Sequence, residues 1–211
     1  LVVGVVAMSL TSCASGGDEV EPADAVVGVR GTACDEATRG VGVVVGDDRV
    51  LTNAHVVAGA GELDVEGQNA TVIGFDPNRD LALLSVPGLD RSAVELATAA
   101  AGDVGTLVAI DAIDSLVRHP YEIRRPIRAT GEDIYRIEGA NRRAFEVEVE
   151  FAQGWSGSGM FDGDGRLVGV VFAESRTDPE VAYAVRASEV EAFLDGVDAG
   201  SVDEVDAGPC L

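Results

Sequence analysis

Many short apolar runs of alternating character, 26 glycines and only one stretch of helical spacing predict an all-β protein. Its two halves repeat the same strand-and-turn pattern, so two packed β-barrels are expected, with one short helix near the C-terminal end. A chain of 211 residues with 46% hydrophobic content fits one compact unit or two small packed subdomains.

The elements follow in order. Val26–Gly31 reads as a first strand. Gly40–Thr52 alternates glycine and valine, turns at Gly46-Asp47-Asp48, and resumes at Val50-Leu51-Thr52 as a hairpin. It leads directly into Asn53-Ala54-His55-Val56-Val57. Glu62–Glu66 and Ala70–Phe75 are the next strands, and the turn Asp76-Pro77-Asn78-Arg79 introduces the apolar strand after Asp80. Thr98–Asp103 reads as a crossing between subdomains. Beyond it come strands at Gly105–Asp111, Glu122–Ala129, Ala144–Phe151, Met160–Phe172 and Val181–Val185, then a helix over Ala187–Val197 with Ser188 as its cap. The expected division is a signal-like segment at 1–13, a polar tether at 14–23, an N-terminal barrel at 24–98, a crossing at 99–104, and a C-terminal barrel with helix and tail at 105–211.

A net charge of −22 excludes nucleic acid as a partner, because binding phosphate needs a cationic face. All 15 basic residues are arginine. The uncharged run Leu1–Ser12 is too short to span a bilayer as a regular helix, which needs ~20 residues. It matches the apolar core of a secretory signal. Leu10-Thr11-Ser12-Cys13 resembles the bacterial lipobox, whose cysteine receives lipid. The expected location is therefore extracytoplasmic, anchored to the outer face of the cell membrane through Cys13, or secreted if Cys13 is not lipidated. The end of a transmembrane helix is the alternative reading of this run. With Cys13 lipidated, Cys34 and Cys210 are an even pair in an oxidising compartment, where a disulfide is expected; two buried free thiols are the alternative.

Serine-based hydrolysis needs a nucleophile, a base, a carboxylate that fixes the base's tautomer, and backbone donors for oxyanion charge. The chain has two histidines. His55 follows a strand among small neighbours, where its ring can reach a cleft, whereas His119 in Arg118-His119-Pro120 reads as a solvated loop residue. Asp80 opens Leu81-Ala82-Leu83-Leu84; a carboxylate there risks burial and then needs a partner. Asp76 competes with it, but Asp76-Pro77 is ordinary turn chemistry. Gly154-Trp155-Ser156-Gly157-Ser158-Gly159 supplies a serine in a glycine-rich turn ahead of the apolar run that follows Asp162–Gly165.

Thr52–Val57, Asp80–Leu84 and Gly154–Val171 together resemble the trypsin-fold serine proteases, in particular the bacterial HtrA/Deg branch and the membrane-anchored acid-resistance proteases of actinobacteria (the MarP type). The likeness covers nearly all of residues 24–210, with the same order of His, Asp and Ser. It implies a trypsin-like fold of two packed six-stranded antiparallel barrels. It implies also a Ser-His-Asp endopeptidase with His55 as general base, Asp80 as its orienting carboxylate and Ser156 as nucleophile. The N–H groups of Gly154 and Ser156 would form the oxyanion hole. In the MarP type a cysteine just after the first strand pairs with one near the C-terminus, as Cys34 and Cys210 would here.

Two departures from the family pattern, Trp155 for the usual Asp or Asn and Ser158-Gly159 for Gly-Pro, remove no catalytic side chain. Glu150, six residues before Ser156, stands where such enzymes place the residue at the base of the primary specificity pocket, and would select a basic P1 side chain. The alternative is that Glu146, Glu148 and Glu150 share one solvated strand face. The expected substrate is protein or peptide from the cell envelope, with a catalytically silent peptide-binding surface lipoprotein as the competing function. No Cys/His cluster or phosphate-binding loop stands in the sequence, so neither metal nor cofactor is expected.

Overall fold

Alternation of side chains across each strand decides which residues face a core, and here it separates two of them. The computed structural model describes residues 20–198, 200 and 203–211. The segment carrying Cys13 lies outside them. The first half contributes β1 (Val26–Ala33), β2 (Glu36–Gly46), β3 (Arg49–Thr52), β4 (Ala60–Val65), β5 (Gln68–Asn69), β6 (Thr71–Asp76) and β7 (Leu81–Ser85), with the single helical turn α1 (Ala54–Val57) between β3 and β4. The order in this antiparallel sheet is β5-β4-β1-β2-β3-β7-β6. Only Ala70 separates β5 from β6, and its N–H donates to Leu63 O at 2.9 Å. Taken as one strand bent at Ala70, β5 and β6 close the sheet on itself with six strands.

The second half contributes β8 (Val104–Ile110), β9 (Leu116–Glu132), β10 (Glu138–Glu148), β11 (Gly159–Phe161), β12 (Leu167–Glu174) and β13 (Val181–Arg186). These form a closed barrel in the order β10-β13-β12-β11-β8-β9. The helix α2 (Ala187–Asp198) follows. This is the expected mostly-β, trypsin-like architecture with one short C-terminal helix.

Inside the second barrel Leu107, Ala109, Ile123, Phe145, Val147, Met160, Val171 and Ala184 form one buried cluster. Their strand neighbours Val108, Ile110, Phe161, Val170 and Val185 face outward and join the core of the first barrel, with Val27, Val29, Val41, Val43, Leu51, Leu81 and Leu83. Val190 and Phe193 of α2 pack into the same cluster. This shared apolar cluster, the seam between the barrels, fixes the two halves against each other.

Two local features bear on the site. The β1–β2 hairpin turns through Cys34 and Asp35, both at positive φ (49° and 67°), as a two-residue turn of the primed type requires. Cys34 at that tip is bonded to Cys210, with the Cα atoms 6.3 Å apart, so the C-terminal segment lies across the first barrel. The same segment reaches the second barrel, where the Tyr135 hydroxyl donates to Ala207 O at 3.2 Å from the tip of the β9–β10 hairpin.

His119 departs from its expected loop position. It lies within β9, opposite Leu107, with its side chain 24% exposed and its ring 4.7 Å from that of Trp155. The following Pro120 is tolerated because β9 pairs only with β8 there; β10 joins from Glu122 onward.

Candidate active site

Three segments converge on the seam. The first is α1, where Asn53 stands before the turn without capping it. Its side-chain amide instead donates to the backbone oxygen of Asp80 at 2.9 Å, tying α1 to the start of β7. The second is Asp80 itself, 3% exposed and held at a positive φ of 57°. Asp tolerates that conformation better than most residues, and the bend turns its carboxylate back toward α1.

Asp80 Oδ1 accepts the His55 backbone N–H at 3.0 Å. His55 Nδ1 lies 3.0 Å from Oδ1 and 2.8 Å from Oδ2. A carboxylate can only accept, so Nδ1 carries the proton and Nε2 is left with its lone pair. Asp76 is committed elsewhere: its Oδ1 accepts the N–H groups of Asn78 and Arg79, and its Oδ2 pairs with the Arg79 guanidinium. Turn chemistry thus accounts for Asp76, while Asp80 engages the imidazole.

The third segment carries Ser156. Its backbone oxygen accepts the Val41 N–H of β2 at 2.8 Å, and the next residue, Gly157, donates to Val171 O of β12 at 2.9 Å. The serine therefore sits between the barrels, held by one strand from each. Gly40 locates it relative to His55. A Cβ at Gly40 would meet Val56 at 2.6 Å on one side and Ser156 O at 3.0 Å on the other, so α1 and the serine turn close over this glycine. Thr52, fully buried, donates its hydroxyl to Val41 O at 2.7 Å and braces the same point. Among the described residues, Ser156 Oγ makes no hydrogen bond, and the N–H groups of Gly154 and Ser156 donate to no protein acceptor. Gly154 has a φ of +91°, a left-handed backbone that glycine adopts freely.

Trp155 is 7% exposed and packs against His119 and, edge-on at 6.0 Å, against Phe151. This apolar anchorage substitutes for the polar residue usual at that position. Glu150 is not placed to act as a buried selector. Its side chain is 81% exposed, 3.6 Å from His119 Nδ1, on the solvated side of an alternation in which Val147 and Val149 point inward. A charge that remains hydrated gives little of the desolvated pairing that a basic P1 side chain would need.

Sequence reasoning passed over Arg142. This β10 residue is 7% exposed, lies 3.8 Å through Nη1 from Asp80 Oδ2, and stacks 4.8 Å from the centre of the Phe172 ring. The signal was available, because counting back by twos from Ala144 puts Arg142 and Ala140 on the buried face. Among the described residues no cluster of His, Cys, Asp and Glu could hold a metal ion, and no helix is long and apolar enough to cross a membrane.

A carboxylate-bound imidazole beside a serine turn between two β-barrels defines the class of the serine proteases, and the chain belongs to the trypsin-like peptidase family, whose domain model matches residues 40–170. It is a trypsin-like serine protease domain. Serine protease Rv3671c of Mycobacterium tuberculosis is 33% identical over 195 residues, covering 88% of this chain and 49% of the relative. The chain thus spans about half the length of that relative. A Pseudomonas putida protein named probable periplasmic serine endoprotease DegP-like is 31% identical over 156 residues, 68% of this chain and 31% of its own length. The crystal structure of the Rv3671c protease in its active form superposes with a TM-score of 0.84 at 30% identity, covering 100% of this chain and 99% of that one. Its inactive form gives 0.74 at 32% identity, over 83% and 90%.

Proposed function

We propose that this protein is an extracytoplasmic endopeptidase that cleaves cell-envelope proteins through a triad of His55, Asp80 and Ser156. The observation that carries the reading is the 2.8 Å contact between His55 Nδ1 and buried Asp80, on the turn that closes with Ser156 over Gly40. In this mechanism His55 Nε2 takes the proton of Ser156 Oγ as the oxygen attacks the scissile carbonyl carbon. Asp80 holds the tautomer and offsets the imidazolium charge. The N–H groups of Gly154 and Ser156 donate to the developing oxyanion. Collapse of the tetrahedral species breaks the C–N bond, the leaving amine takes the proton from His55, and an ester to Ser156 remains. Water, deprotonated by the same imidazole, then hydrolyses that ester.

Location follows from the lipobox-like Cys13, and a relative named as periplasmic agrees with it. Lipid on Cys13 would anchor the enzyme beside its substrates. The test is digestion of β-casein and of envelope extracts by the wild type and by Ser156→Ala. Turnover should fall by roughly 10⁴- to 10⁶-fold in the variant. Equal digestion by both would overturn the mechanism, and binding without digestion by either would favour a silent peptide-binding protein. Metabolic labelling with a fatty-acid probe, compared between wild type and Cys13→Ala, tests the anchor.

A further inference from the structure

We propose that Arg142 is a positioning residue of the triad, a buried cation that shares Asp80 with His55 and thereby keeps the imidazole free of its proton in more acidic solution. The inference rests on the triad reading above. Arg142 is 7% exposed, and its Nε and Nη1 are buried without a hydrogen-bond acceptor. Burying a guanidinium in that state is unfavourable unless a charge nearby offsets it. Nη1 lies 3.8 Å from Asp80 Oδ2, the same oxygen that His55 Nδ1 approaches to 2.8 Å. The Phe172 ring closes the other side, with its centre 4.8 Å from the guanidinium carbon.

The remaining charges around this group are spoken for. Asp76, at the end of β6, is paired with Arg79, and Arg79 also holds Glu189 of α2 at 3.0 Å. The neighbouring Arg143 faces Glu189 at 3.7 Å. Asp133, in the β9–β10 turn, accepts the N–H groups of Tyr135 and Ile137. Burial pulls the Arg142 guanidinium below the ordinary arginine value, against the opposite pull of Asp80, Asp76 and Asp133, yet an arginine stays charged throughout the working pH range. Among these groups Asp80 is the carboxylate to which Arg142 supplies the second cation.

The consequence has a definite sign. A protonated His55 would place a second positive charge within about 6.6 Å of Nη1, the limit set by the two legs through Oδ2. Arg142 therefore opposes protonation of the base and moves the acid limb of activity to lower pH. Coulomb's law at that distance, with an effective dielectric between 80 and 20, gives about three- to seventyfold in labelling rate on the limb.

The experiment measures the second-order rate at which a fluorophosphonate labels Ser156 as a function of pH, in wild type, Arg142→Met and Arg142→Lys, scaled to the folded fraction from thermal melts. The expected result is an acid limb displaced to higher pH in Arg142→Met and largely restored in Arg142→Lys. Profiles that superimpose after scaling would overturn the proposal and leave the triad intact. A wild type that does not label at all would instead overturn the triad reading. If Arg142→Met does not fold, Arg142→Gln carries the same comparison. Failure of both to fold would assign the guanidinium to the fold rather than to the pair, and would also refute the proposal.

Discussion

The two glycines that flank Ser156 have nearly the same backbone conformation in different surroundings, so replacing each by alanine separates strain from space. Gly154 and Gly157 take φ of +91° and +90°. An L side chain in that region is disfavoured by about 1–2 kcal/mol. At Gly154 a Cβ meets nothing within 4 Å, so backbone strain is the whole effect. With about 2–4 °C of melting temperature per kcal/mol in a chain of this size, Gly154→Ala should melt about 2–8 °C lower. At Gly157 a Cβ would sit 1.9 Å from Val41 O and 2.8 Å from Thr52 Oγ1. Relief requires moving the turn off β2, which breaks the Val41 N–H bond to Ser156 O and the Gly157 N–H bond to Val171 O. Gly157→Ala should therefore lose more than about 4 kcal/mol, and what folds should not label with a fluorophosphonate. Thermal melts and labelling of both variants check this. A Gly157→Ala protein that melts within a few degrees of wild type and still labels would refute the docking argument, as would a larger loss in Gly154→Ala.

The other predictions are shorter. Asp80→Asn should reduce turnover about 10⁴-fold, after scaling to the folded fraction, by favouring the wrong imidazole tautomer, and should melt below wild type because buried Arg142 loses its offsetting charge. Replacing Cys34 and Cys210 by serine reopens a 176-residue loop, which the chain-entropy model values at roughly 5 kcal/mol. The melt should fall accordingly, and residues after 203 should become sensitive to proteolysis. Tyr121 donates to Phe161 O at 3.1 Å, and burial pushes its phenol above the ordinary tyrosine range. Its neutral form thus contributes stability that is present below the unfolded value of about 10 and is lost as pH rises through the folded value. Tyr121→Phe should lower stability at pH 7 by about 1 kcal/mol while moving alkaline unfolding to higher pH. Glu150→Gln should leave P1 preference unchanged in a peptide library, because the carboxylate is exposed.

Strand positions in the sequence were legible where a short apolar run was bounded by turn residues, as at Val181–Val185 after Asp178-Pro179, and the helix over Ala187–Val197 nearly coincides with α2. The catalytic candidates were legible because chemistry narrowed them: one histidine beside small residues, one aspartate opening a buried strand, one serine between glycines. What stayed hidden was set by tertiary contacts. His119 reads as a loop residue because Pro120 breaks the local pattern, and a strand survives there because that stretch of β9 pairs on one side only, with β8. Glu150 reads equally as a pocket base or a strand face, because spacing from Ser156 carries no information on burial. Arg142 was overlooked because a charged residue is read as solvated by default, although its period-two partners Ala140 and Ala144 are buried.

The most direct test of the account is to react the protein with a fluorophosphonate at neutral pH and locate the adduct by peptide mass mapping. The triad predicts stoichiometric modification confined to Ser156, lost in His55→Ala although the variant remains folded. Modification at another residue, or undiminished modification of Ser156 in His55→Ala, would contradict it.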